Sequence, residues 1–75
     1  MYHTIEFTKE LVVLLASLRR QPLRPLPIRK GTRRQAQVKP HVTETEDGFV
    51  EMADLLFEDG TATRDIPCAC FSFVE

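Results

Sequence analysis

Between residues 35 and 74, apolar and polar side chains alternate along β-prone runs broken twice by one tripeptide, Glu46-Asp47-Gly48 and Glu58-Asp59-Gly60. Period-two alternation interrupted by Asp-Gly predicts two successive hairpins. A two-residue turn at each Asp-Gly would set Glu44 opposite Glu51 and Asp54 opposite Asp65, and directly opposed like charges destabilise a sheet. The favoured register therefore uses a three-residue loop closed by Gly48 or Gly60 in the left-handed conformation. It pairs Thr45 with Phe49, Phe57 with Thr61, Asp54 with Arg64, Val42 with Met52, Met52 with Ile66 and Val50 with Cys68. Proline cannot donate to a ladder, and Pro40 and Pro67 lie in the two outer runs, so the run 49–57 is expected in the middle, with the other two at the edges. One face then carries Phe49, Leu55, Phe57, Phe71 and Phe73, and the other Val38, Val42, Val50, Met52, Leu56, Ile66, Cys68 and Cys70. Both faces are apolar, so each needs a cover.

Upstream, KELVVLLASLRR over residues 9–20 is rich in helix formers, with Glu10 near its start, Arg19 and Arg20 at its end, and Pro22 as a stop. A helix over 8–20 is expected to lie across the phenylalanine face. Val12 and Val13 are its weak point, because periodicity alone cannot separate an all-apolar helix from a buried strand. Ile5 and Phe7 alternate with Thr4 and Glu6, so residues 2–7 read either as a short extra edge strand or, if Thr4 is the cap, as the start of a longer helix. The apolar run 11–18 is too short for a bilayer span, lacks the cationic face of a membrane-surface helix, and has the wrong flanks for a signal peptide. No membrane partner is expected.

The stretch 21–34 contains Pro22, Pro25 and Pro27, which favour an extended connector, with Gly31 as the bend and Leu23, Leu26 and Ile28 able to lie against the second sheet face. Charge is segregated around it. The net charge of −1 arises from eight of the ten Lys and Arg in residues 19–39, where there is no acid, and nine of the eleven acids in residues 44–75. With Arg64 counted, those segments carry +8 and −8. Arg19, Arg20, Arg24, Arg29, Lys30, Arg33 and Arg34 are the candidate partner-binding residues, for an acidic protein surface, the acidic turns of a second copy, or nucleic acid phosphates. No aromatic residue lies between Phe7 and Phe49 to stack a base, so nucleic-acid binding would be unspecific and is the lesser alternative. Arg19-x-x-Pro22-x-x-Pro25 also fits a proline-rich ligand pattern that is common by chance.

Cys68-Ala69-Cys70, with His3 or His41, supplies only part of a zinc site, and the register puts His41 on the face opposite the thiols. Two cysteines so close along a strand are expected to be free thiols packed as small apolar residues, which suits a reducing compartment. No nucleophile has a base at an identifiable spacing, and the three glycines serve turns, so neither catalysis nor a cofactor is expected.

At 75 residues the chain is one domain, 1–75, with limited capacity to bury a core. The sequence thus predicts an α+β fold, one N-terminal helix (8–20) on a three-stranded antiparallel meander (35–74), joined by the basic connector 21–34. Two apolar sheet faces and an apolar helix exceed what one layer can bury. The expected function is a small cytoplasmic, non-enzymatic protein-interaction or regulatory module that self-associates, most simply as a homodimer.

Overall fold

The computed structural model describes residues 1–17 and 24–74, with the backbone only of Ser17. Among these residues seven strands, all paired antiparallel, form one sheet: β1 (His3–Phe7), β2 (Leu11–Ser17), β3 (Arg24–Ile28), β4 (Arg33–Thr45), β5 (Gly48–Phe57), β6 (Thr61–Pro67) and β7 (Phe71–Phe73), in the spatial order β3-β2-β6-β5-β4-β1-β7. The sheet curls into a half-barrel, and the described residues contain no α-helix. This overturns the α+β expectation.

The segment expected to be a helix over 8–20 is instead β2 over Leu11–Ser17. Its burial alternates: Val13 is buried, Leu11 and Leu15 are half-buried, and Val12 and Leu14 face out. Helix propensity is a weak prior, and here β3 on one side and β6 on the other offer the segment pairing that a lone helix would forgo. Pro25 and Pro27 lie in β3, whose free side is one edge of the sheet. Because proline has no N–H, donors to β2 come from Arg24, Leu26 and Ile28, and the outer edge is left poor in donors. Arg19 and Arg20 lie outside the described residues.

The meander is present, with β5 between β4 and β6. Its outer strands are not edges, since β1 pairs with the start of β4 and β2 with the start of β6. The proline rule holds locally: β1 covers β4 only over Arg33–Ala36, so Pro40 lies beyond that cover, and Pro67 ends β6. Residues 3–7 do form a strand, but an inner one, flanked by β4 and β7.

The registers differ from expectation by one residue in two places. In the first hairpin Thr45 pairs with Gly48 and Val42 with Glu51, so the loop is Glu46-Asp47 alone. Pairing over ten positions outweighs the turn preference, setting Ala36 beside the Phe57 ring and Lys39 opposite Asp54. The slip moves Val38 to the buried side, opposite Leu55. The second hairpin begins as expected, with Gly60 at φ 86°, Leu56 opposite Ala62 and Leu55 opposite Thr63. Beyond that, Arg64 and Asp65 together oppose Asp54, and pairing resumes at Ala53 and Ile66. This is a β-bulge, and Asp65 adopts φ 57° within it. It rotates Ile66 into the core, away from the face that simple alternation assigned to it. Cys68–Cys70 form a single 3₁₀ turn, not a strand.

The concave side holds the core: Ile5, Phe7, Val13, Ile28, Ala36, Ala53, Leu55, Phe57, Ile66 and Phe71, with Cys68 and Cys70 packed against it. Curling lets one sheet supply both walls, so no helix is needed to cover the phenylalanines. Phe49 and Phe73 escape it, at 76% and 57% exposed.

Candidate functional site

Three surface features are built by this fold. The first is an arm. Strand β1 leaves β4 after Ala36, and β6 leaves β5 at Met52, so the β4–β5 hairpin continues as a two-stranded projection over residues 42–51. Val42 (61% exposed) and Phe49 fall on one face of it, and Glu44, Glu46, Asp47 and Glu51 give it four acids and no base. Thr45 fixes the tip: its hydroxyl donates to the Gly48 carbonyl at 2.9 Å and lies 3.3 Å from the Asp47 N–H. An isolated two-stranded hairpin is marginal in water, so such an arm gains from a partner.

The second is the basic segment. Of its seven sequence-expected residues, Arg19 and Arg20 lie outside the described residues. Arg33 meets Glu6 at 2.9 Å. Arg34 reaches Glu58 at 3.4 Å and Asp59 at 3.5 Å, and its guanidinium lies 4.6 Å from the centroid of the Phe57 ring. The acidic turn of the second hairpin is thus engaged within the chain. The Asp59 carboxyl is held below its usual range by the hydroxyl and N–H of Thr61. Arg24, Arg29 and Lys30 are exposed, and no ion pair involves them among the described residues. Replacing Arg34 by alanine is expected to cost about 1 kcal/mol, mostly from the lost ring contact, since exposed ion pairs contribute little. Urea midpoints at low and high salt measure this, and a loss that vanished in salt would assign the effect to the carboxylates instead.

The third feature lies at the root of the arm, on the outer face. His41 Nε2 is 3.1 Å from Asp54 Oδ1 and 3.2 Å from Asp65 Oδ1, while Thr43 Oγ1 lies 3.4 Å from Nδ1. Asp54 is also the acceptor for the Asp65 backbone N–H at 3.1 Å. That N–H, and after it the His41 ring and the nearby Arg64, hold the Asp54 carboxyl below its ordinary range against the opposing effect of desolvation. Sequence spacing cannot show this cluster, because the bulge is what turns Asp65 toward Asp54 and His41. Beside it, β2 and β6 pair only at Ala16–Ala62 and Ser17–Thr61 and then diverge. They leave a groove of about 690 Å³ walled by Val12, Leu14, Arg64, Asp65 and Ile66 among others.

No group of three or more potential metal ligands among the described residues includes a cysteine. His3 packs edge-on against the Phe73 ring at 5.5 Å. No helix among the described residues is long and apolar enough to cross a membrane. Comparison with models of protein families, with curated proteins and with solved structures gave no match.

Proposed function

We propose that this chain is a small, non-enzymatic protein-interaction module of the reducing cytoplasm that self-associates, the acidic arm of one copy docking on the basic segment of another. The observation that carries the reading is the arm itself, which projects past its neighbouring strands with Val42 and Phe49 exposed. Four acids on each arm make arm-to-arm contact repulsive. Arg24, Arg29 and Lys30 supply the complementary charge, and a two-fold axis lets each copy give an arm and receive one. Free thiols at Cys68 and Cys70, both half-buried, support the compartment.

Light scattering at micromolar concentration tests this, with a mass near twice 8.6 kDa as the expected result. Phe49→Asp should weaken the dimer by at least about 2 kcal/mol, roughly thirtyfold in Kd, if the ring is a central anchor. The double variant Arg29→Glu, Lys30→Glu should weaken it too, with the wild-type dimer loosening in salt. A wild-type chain monomeric at these concentrations would remove the reading.

Unspecific nucleic-acid binding is the second reading, favoured only by the exposure of Arg24, Arg29 and Lys30. Arg33 and Arg34 are already held by Glu6, Glu58 and Asp59. Three phosphate contacts predict a slope near −2.7 in log affinity against log salt on duplex DNA. Absence of binding at ~50 mM salt leaves the protein interaction as the reading.

A further inference from the structure

We propose that His41, Asp54 and Asp65 form a transition-metal site at the root of the arm, one imidazole nitrogen and two carboxylate oxygens binding zinc with the remaining positions open to water. The three ligand atoms lie within 4.8 Å of one another. Bonds of about 2.1 Å to zinc imply ligand-to-ligand edges of about 3.0 Å in an octahedron and about 3.4 Å in a tetrahedron. The His41–Asp54 and His41–Asp65 separations of 3.1 and 3.2 Å fall between these values.

Hydrogen bonding accounts for the triangle less well. Nε2 carries at most one hydrogen, so it cannot donate a full bond to both carboxylates at once. A cation at the centre would satisfy all three lone pairs and relieve the repulsion between the two acids. Each ligand is also placed by something else. Thr43 Oγ1 lies within reach of His41 Nδ1, the position from which an outer partner orients a metal-bound imidazole. Asp54 is oriented by the Asp65 N–H, and Asp65 is aimed by its bulge. The imidazole selects zinc or a neighbouring transition ion over magnesium and calcium, which prefer oxygen alone. Bound metal would tie β4, β5 and β6 together where the arm begins.

The test is calorimetric titration of the whole chain with zinc, and separately with magnesium. One zinc per chain is expected, with no competition from magnesium. His41→Ala and Asp65→Asn should each weaken binding at least tenfold. Asparagine tolerates the positive φ of position 65, so the second variant keeps the bulge while removing the carboxylate charge, and circular dichroism verifies its fold. The double variant Cys68→Ser, Cys70→Ser should bind as the wild type does. With free zinc at ten times Kd, the unfolding equilibrium constant should fall about elevenfold. No heat up to millimolar zinc, unaltered binding by Asp65→Asn, or loss of binding in the serine double variant would each overturn the proposal.

Discussion

Replacing Phe57 by alanine is expected to destabilise the chain by about 3–5 kcal/mol, the usual cost of deleting a buried aromatic ring. Phe57 is fully buried at the end of β5, opposite Ala36, with the Arg34 guanidinium over its ring. Neither neighbour can collapse into the space: Ala36 has no further atoms to offer, and moving Arg34 inward would desolvate its charge. A domain of this length has a total stability of only about 4–11 kcal/mol, so the variant should be largely unfolded near the middle of a modest urea gradient. Phe49→Ala, in the monomer, should lie within about 0.5 kcal/mol of wild type, because that ring is exposed on the arm. Urea unfolding followed by circular dichroism measures both. Equal losses at the two positions would mean that the concave face does not divide the phenylalanines as described.

That division was only half legible in the sequence. Alternation put Phe57, Leu55 and Phe71 together, and they do share the core. It also put Phe49 and Phe73 with them, because alternation reports a face and not where along the strand the cover stops. For Phe49 the cover stops where β1 and β6 leave the β4–β5 hairpin, and Phe73 sits on β7 at the free edge of the sheet; both depend on strand pairings that no local signal encodes. Gly60 and its loop gave the second hairpin the register expected near the turn. The bulge at Asp54, Arg64 and Asp65 then shifts it, and within the bulge a side-chain acceptor across the strand, Asp54, receives the Asp65 N–H. A pattern of apolar and polar positions carries no trace of such a bond.

The same limit hid the His41 cluster. In the sequence Asp54 reads as a partner for Arg64, Asp65 as one more hairpin acid, and His41 as a distant partner for the thiols or one titratable group among scattered acids with no identifiable spacing. The pairing His41↔Met52 sets the ring diagonally across from Asp54, so one register step decides whether the two can meet. The basic segment was legible as a charge pattern, but not in its internal use. Arg33 and Arg34 follow β4 into the sheet and find acids there, leaving the turn after β3 to face outward.

The strand β2, where helix-forming residues predict a helix, is open to a direct test. Val13→Asp is expected to cost more than about 4 kcal/mol, because it places a carboxylate without a partner beside Leu26 and the core. Val12→Asp and Leu14→Asp should each cost no more than about 1 kcal/mol, the range of strand propensity, since their side chains are 66% and 55% exposed. The contrast is a period-two signature: one sensitive position between two tolerant ones. A helix lying on the sheet would rank the three differently, with Leu14 on the stripe shared by Leu11, Leu15 and Leu18 and therefore the most damaging site. Urea midpoints for the three variants separate the cases. Leu14→Asp as harmful as Val13→Asp would restore the helix and remove β2 together with the groove it forms with β6.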